Sequence, residues 1–149
     1  LTPASKMVGL DGQKMSKSYN NTIALREDPK EVEKKIRTMP TDPARIRRND
    51  PGNPNNCPVW QLHQVYSMEK TQKWAKEGCT QAGIGCVECK QPIIESVLKE
   101  LKPIQERAKD YIESPDLVKS VVAEGCEKAR KLARDTMRDV REVMGIDLS

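Results

Sequence analysis

A mainly α-helical fold is predicted by three features of the sequence. Aromatic residues are scarce, with no Phe, two Trp and three Tyr in 149 residues, which argues against a β-sandwich or barrel. Lys, Glu, Arg, Ala and Leu are abundant, and these residues lose little side-chain freedom in a helix. Apolar residues also recur at spacings of three and four from about residue 28 to the end.

The elements follow in order. Residues 1–27 have no helical or alternating period and contain Gly9, Gly12, Ser16, Ser18, Asn20 and Asn21, so they read as loop. Asp28 can cap a helix opened by Pro29, on which Val32, Ile36 and Met39 share one face before Pro40 stops it. Pro40, Pro43, Pro51, Pro54 and Pro58 punctuate an irregular connector. Pro58 starts a short helix with Val59, Trp60, Leu62, Val65 and Tyr66, and a second spans residues 69–77, ended by Gly78. Residues 86–113 keep a helical period through Val87, Ile93, Ile94, Val97, Leu98, Leu101, Ile104, Ala108 and Ile112, with breaks or kinks expected at Pro92 and Pro103. In the last helix Ser114 is the cap and Pro115 the first residue. Val118, Val122, Gly125, Ala129, Leu132, Thr136, Val140 and Val143 form its stripe, and Gly145 is its stop.

Several classes are excluded at once. The apolar runs are a few residues long, far below the roughly 20 needed to span a bilayer, so no transmembrane helix is expected. Leu1-Thr2-Pro3-Ala4-Ser5-Lys6 has neither an initiator Met nor a basic-then-apolar leader, and reads as the interior of a longer protein. The net charge of +4 is unevenly distributed: residues 1–50 hold 11 Lys and Arg against 7 Asp and Glu, whereas the remainder holds 15 of each. A local basic excess suits a phosphate-bearing partner, or simply a solvated surface.

The first chemical signal is Lys14-Met15-Ser16-Lys17-Ser18, two ammonium groups three residues apart with hydroxyls between them. Such a loop can close on a polyphosphate, because lysine is a compact charge on a flexible stem that follows shifting phosphate oxygens. On composition alone the five residues fit a solvated loop as well. The wider segment Gly9-Leu10-Asp11-Gly12-Gln13-Lys14-Met15-Ser16-Lys17-Ser18-Tyr19-Asn20-Asn21 resembles the KMSKS loop of class I aminoacyl-tRNA synthetases, in the form found in the tryptophanyl-tRNA synthetase family. Asp50-Pro51-Gly52-Asn53-Pro54, followed by Cys57, extends the resemblance to that family. It implies that Lys14, Met15, Ser16, Lys17 and Ser18 bind ATP, with Lys14 and Lys17 in the catalytic, pyrophosphate-contacting role. Mg²⁺ is implied with ATP, although no carboxylate here is an obvious ligand.

The resemblance also places the chain within the larger enzyme. That family's other signature, a His-Ile-Gly-His-like element on a Rossmann sheet, does not occur here. The only histidine is His63, which beside Leu62 and Val65 reads as a packed or surface residue rather than a metal ligand. Residues 1–27 would be the C-terminal edge of a Rossmann-like catalytic domain carrying the KMSKS loop, and residues 28–149 an α-helical anticodon-binding domain, a helix bundle. With the tryptophan pocket upstream, the chain alone is not expected to make tryptophanyl-adenylate. A cytoplasmic location and a homodimeric full-length enzyme are implied.

The second signal is four cysteines in the pattern Cys57-x21-Cys79-x6-Cys86-x2-Cys89, with Cys126 apart. Four thiolates can close a tetrahedral site, either structural zinc or a 4Fe-4S cluster. Disulfides are disfavoured by the odd count and the absence of a leader, and free thiols remain an alternative. Zinc sites usually come as two short Cys pairs and only one pair is short here, which leans toward a cluster. A subset of bacterial members of the resembled family carries a 4Fe-4S cluster on a closely similar spacing, and only the first gap here is one residue shorter. That likeness implies Cys57, Cys79, Cys86 and Cys89 as its ligands.

Arginines supply the third signal. Arg130, Arg134, Arg138 and Arg141 run along one flank of the last helix, with Glu127, Asp135 and Glu142 placed to pair with Arg130 and Arg138. Arg45, Arg47 and Arg48 crowd the connector. Arginine stacks on exposed bases and forks onto phosphate, so both sets are candidates for tRNA contact, against the simpler reading of solvated faces. The resemblance to the tryptophanyl-tRNA synthetase family implies the function of part of a tryptophan-tRNA ligase, acting on tRNA(Trp), ATP and tryptophan. The rival is a non-enzymatic helical RNA-binding module that holds zinc or an iron-sulfur cluster.

Overall fold

The computed structural model describes residues 6–146, and the expected helical architecture is present. Among the described residues five α-helices follow one another: α1 (Pro29–Thr38), α2 (Pro58–Tyr66), α3 (Glu69–Thr80), α4 (Cys86–Glu113) and α5 (Pro115–Met144). Two short 3-10 turns, Lys17–Tyr19 and Pro54–Asn56, interrupt the loop segments. Among the described residues the only β pairing is an isolated antiparallel bridge between Val8 and Lys14.

Local chemistry accounts for most of the boundaries. Asp28 caps α1 by accepting from Lys30 N at 2.9 Å, with Pro29 in the first position. At the other end of α1 the Lys90 ammonium, 3% exposed, donates to Arg37 O and Met39 O at 2.6 Å each. The connector is shaped by Asp42, which accepts from Ala44 N at 3.1 Å and from Asn53 N at 2.7 Å. Gly145, at φ 66°, ends α5 as expected.

Three expectations need correction. The helix placed at residues 69–77 continues through Gly78 to Thr80. Gly78 is required for packing, because a Cβ there would lie 2.9 Å from the Ile84 side chain. Helix α4 continues through Pro92 and Pro103, so neither proline breaks it. Each proline removes a ladder bond and costs about 3 kcal/mol in an isolated helix; burial of Ile93, Ile94, Val97 and Leu101 on the same helix offsets that. Ser114 stands at the N-cap of α5 without a side-chain cap bond.

The chain divides into two compact units, residues 1–105 and 106–149. In the first, Val8 of the N-terminal loop, Val32, Ile36 and Met39 of the α1 region, Val59 and Leu62 of α2, and Ile93, Ile94, Val97 and Leu101 of α4 form one buried cluster. Met7, Leu10 and Ile23 pack against it, so the loop is seated on the helical core. In the second unit α5 buries no residue, and its predicted stripe is exposed at Val118, Val122, Leu132, Val140 and Val143. Among the described residues no helix is long and apolar enough to cross a membrane.

Candidate functional site

The lysine loop has a defined backbone. Gly9 N donates to Gln13 O at 2.6 Å, Met15 N to Met7 O at 2.9 Å, and Leu10 N to Asn21 O at 2.9 Å. The buried Asn21 side chain occupies the inside of this turn: its Oδ1 accepts from Ser16 N at 2.7 Å, and its Nδ2 donates to Asp11 Oδ1 at 2.7 Å and to Lys14 O at 3.1 Å. The hydrogen bond from Asn21, and then that from Gln13 N, holds the Asp11 carboxyl below its usual range. With the backbone anchored from inside, Lys14, Lys17 and Ser18 are exposed, while Met15 and Ser16 are half-buried. Two ammonium groups on a fixed backbone, open to solvent, are placed to meet an anion. Asn21 and Asp11 were not candidates from the sequence; their only trace there is an Asx-type residue at either end of a glycine-containing loop.

Three of the cysteines share one small cavity. Cys57, Cys79 and Cys89 line a cavity of ≈ 20 Å³, room for about one water, together with Trp60, His63 and Ala75. Cys86 opens instead onto a groove of ≈ 770 Å³ that also includes Arg37, Arg45, Arg47, Arg48 and Gln91. All five thiols are free. Burial, reinforced by Cys57 and the other thiols, pushes Cys89 up to about 12, and burial raises Cys79 against the opposing pull of Arg45. His63 is fully buried, as a packed residue: Nδ1 lies 2.8 Å from Ser67 Oγ, and Nε2 lies 3.0 Å from Cys89 O and 3.3 Å from Cys89 Sγ. Burial lowers its pKa.

The expected four-thiolate centre is not drawn together. Among the described residues no group of three or more His, Cys, Asp or Glu stands in an arrangement that could hold a metal ion. The donor chemistry nevertheless suits a metal-sulfur group, because thiolates are its ligands. Arg45 supports that fit. It is 8% exposed, donates from Nη2 to Arg48 O and Ile84 O at 2.7 Å each, and reaches Cys79 Sγ from Nη1 at 3.9 Å. Its buried Nε has no partner among the described residues, in a guanidinium whose Nη1 approaches one of the four sulfurs.

The other arginines divide. Arg45 serves the interior, whereas Arg47 and Arg48 are exposed on the connector, Arg48 with a loose 3.8 Å pairing to Glu88. On α5, Arg130 pairs with Glu127 at 2.7 Å, and Arg138 with Asp135 at 3.4 Å and with Asp139 at 3.1 Å. The expected Arg138–Glu142 pair does not form; Asp139 takes its place. Arg134 and Arg141 have no acidic partner among the described residues. All four line one groove of ≈ 710 Å³ with Met137 and Ile146.

Comparison with known proteins gives these features a family. Residues 1–102 match the profile of the class I tRNA synthetases (W and Y). The chain belongs to this family of tRNA synthetases. Within it the similarity runs to tryptophan-tRNA ligases. That of Ralstonia nicotianae is 60% identical over 149 residues, covering 100% of this chain and 37% of the relative; that of Thermotoga maritima is 48% identical over 147 residues, covering 98% and 45%. The crystal structure of the Campylobacter jejuni tryptophanyl-tRNA synthetase complexed with ADP and tryptophan matches with a TM-score of 0.81 at 30% identity, over 97% of this chain and 45% of that one. The chain thus spans about two fifths of the length of the curated relatives it matches.

Proposed function

We propose that this chain is the C-terminal part of a tryptophan-tRNA ligase, which activates tryptophan with ATP and esterifies it to tRNA(Trp) in the cytoplasm, as a homodimer. The observation that carries the reading is the anchored loop with Lys14 and Lys17 exposed in a chain similar throughout to such ligases. In the reaction the tryptophan carboxylate oxygen forms a bond to the α-phosphorus of ATP, and the bond from that phosphorus to the bridging oxygen breaks as pyrophosphate leaves. Lys14 and Lys17 stabilise the negative charge growing on the leaving group, with Met15, Ser16 and Ser18 completing the phosphate loop. Magnesium accompanies ATP.

Residues 1–27 form the edge of the catalytic domain, and residues 28–149 the anticodon-binding domain. Arg47 and Arg48, carried on a connector braced by Arg45, and Arg130, Arg134, Arg138 and Arg141 on α5 meet tRNA(Trp) phosphates and bases. Cys57, Cys79, Cys86 and Cys89 hold a 4Fe-4S cluster, with zinc as the alternative occupant. When bound, the group supplies a covalent cross-link between the connector, α3 and α4.

Tryptophan-dependent exchange of pyrophosphate into ATP, measured on the full-length ligase carrying this chain, tests the proposal. Lys17→Ala is expected to lower kcat by about 100-fold or more. Exchange driven by tyrosine instead, or unchanged in Lys17→Ala, would overturn it.

A further inference from the structure

A buried amide organises the lysine loop from within. Asn21 is 2% exposed, and both hydrogens of its Nδ2 are used, one on Asp11 Oδ1 at 2.7 Å and one on Lys14 O at 3.1 Å. Its Oδ1 takes Ser16 N at 2.7 Å. The side chain therefore ties down the backbone at Lys14 and at Ser16, the residue that precedes Lys17. The main chain of Asn21 closes the same turn by accepting Leu10 N at 2.9 Å.

The surroundings are built for this amide. A Cβ on Gly9 would lie 2.3 Å from Asn21 Nδ2 and 2.5 Å from Asn21 Cγ, so only glycine leaves room for it. A carboxylate of the same shape does not substitute. It would accept from Ser16 N, but would set two negative groups against each other at Asp11 and leave Lys14 O without its donor.

Resting on the reading of this loop as the ATP-phosphate loop, we infer that Asn21 is a positioning residue for the adenylation step, braced by Asp11. It touches neither ATP nor tryptophan. It sets the backbone at Lys14 and Ser16, and through it the places from which Lys14 and Lys17 reach the leaving pyrophosphate. A misplacement of about 1 Å is worth on the order of 100-fold in rate.

The test is pyrophosphate exchange in the full-length ligase, with kcat and the KM values for tryptophan and ATP determined separately. Asn21→Ala and the isosteric Asn21→Asp are each expected to lower kcat by about 10- to 100-fold, with KM for tryptophan unchanged. Gly9→Ala, which displaces the amide without altering it, should reproduce the loss. Asp11→Ala, at an exposed carboxylate where folding is not at risk, should show a smaller loss of the same kind. In the Lys17→Ala background Asn21→Ala should add little, because the amide acts through the lysines. Wild-type kcat in both Asn21 variants and in Asp11→Ala, or a full additional loss in the Lys17→Ala background, overturns the inference. If Lys17→Ala itself leaves exchange unchanged, the phosphate-loop reading fails and this inference falls with it. If Lys17→Ala lowers exchange while both Asn21 variants and Asp11→Ala keep the wild-type kcat, the inference alone falls.

Discussion

Asn21 and Arg45 are both buried polar side chains in the 1–105 unit, yet they hold their surroundings differently. Every donor on the Asn21 amide is bonded at 3.1 Å or less, and the lysine loop around it is set. Arg45 binds two carbonyls firmly, but its Nε has no partner among the described residues and its approach to Cys79 Sγ is a long 3.9 Å. A satisfied network freezes the backbone around it. An unpaired buried donor costs about 1–3 kcal/mol, and that cost is relieved when a negative acceptor binds beside it. The polar groups of the Asn21 side chain are all satisfied within the chain, whereas Arg45 Nε has no partner among the described residues.

The largest expected effect sharpens that contrast. After anaerobic reconstitution with iron and sulfide, Cys57→Ser, Cys79→Ser, Cys86→Ser and Cys89→Ser should each lose the bound iron, and Cys126→Ser should keep it, as read by iron and sulfide content and visible absorbance. Stoichiometric zinc in a colourless protein would give the site to the other metal. Lys90 comes next, since it is the firm polar anchor on the thiol-bearing helix. Lys90→Met strands the Arg37 and Met39 carbonyls at the end of α1 and should cost about 3 kcal/mol in urea unfolding. An unchanged midpoint would show that α4 is held by apolar packing alone.

The same distinction between occupied and unoccupied groups orders the α5 arginines. Arg134→Ala should weaken tRNA binding and reduce the slope of log K against log salt by about 1. Arg130→Ala, whose guanidinium already holds Glu127 at 2.7 Å, should do less. Equal effects would mean that the Glu127 pair opens on binding. The smallest effect belongs to Asp11. Its folded pKa is depressed, so the stability it contributes is complete above its ordinary value of 3.8 and is lost as pH falls through the folded value. NMR titration should find the Asp11 carboxyl shifted back up toward 3.8 in Asn21→Ala.

Boundaries written in local chemistry were legible in the sequence. Asp28-Pro29 opens α1, Pro58 opens α2, Pro115 opens α5 and Gly145 closes it, because caps and proline act on a few neighbouring residues. The lysine loop and the spacing of the four cysteines could be read for the same reason. Where a distant side chain decides, local signals misled: Gly78 continues α3 because Ile84 packs over it, and Pro92 and Pro103 lie inside α4 because the helix buries Ile93, Ile94, Val97 and Leu101. Arg45, which the sequence offers as an RNA contact, turns inward onto Ile84 O, 39 residues away. The central roles of Asn21 and Lys90 likewise depend on backbone groups that only folding brings within 3.1 Å. The sequence by itself determined which helices form and which chemical groups are present. The tertiary structure decided which polar groups are satisfied, because a hydrogen bond depends on a distance that residue spacing does not specify.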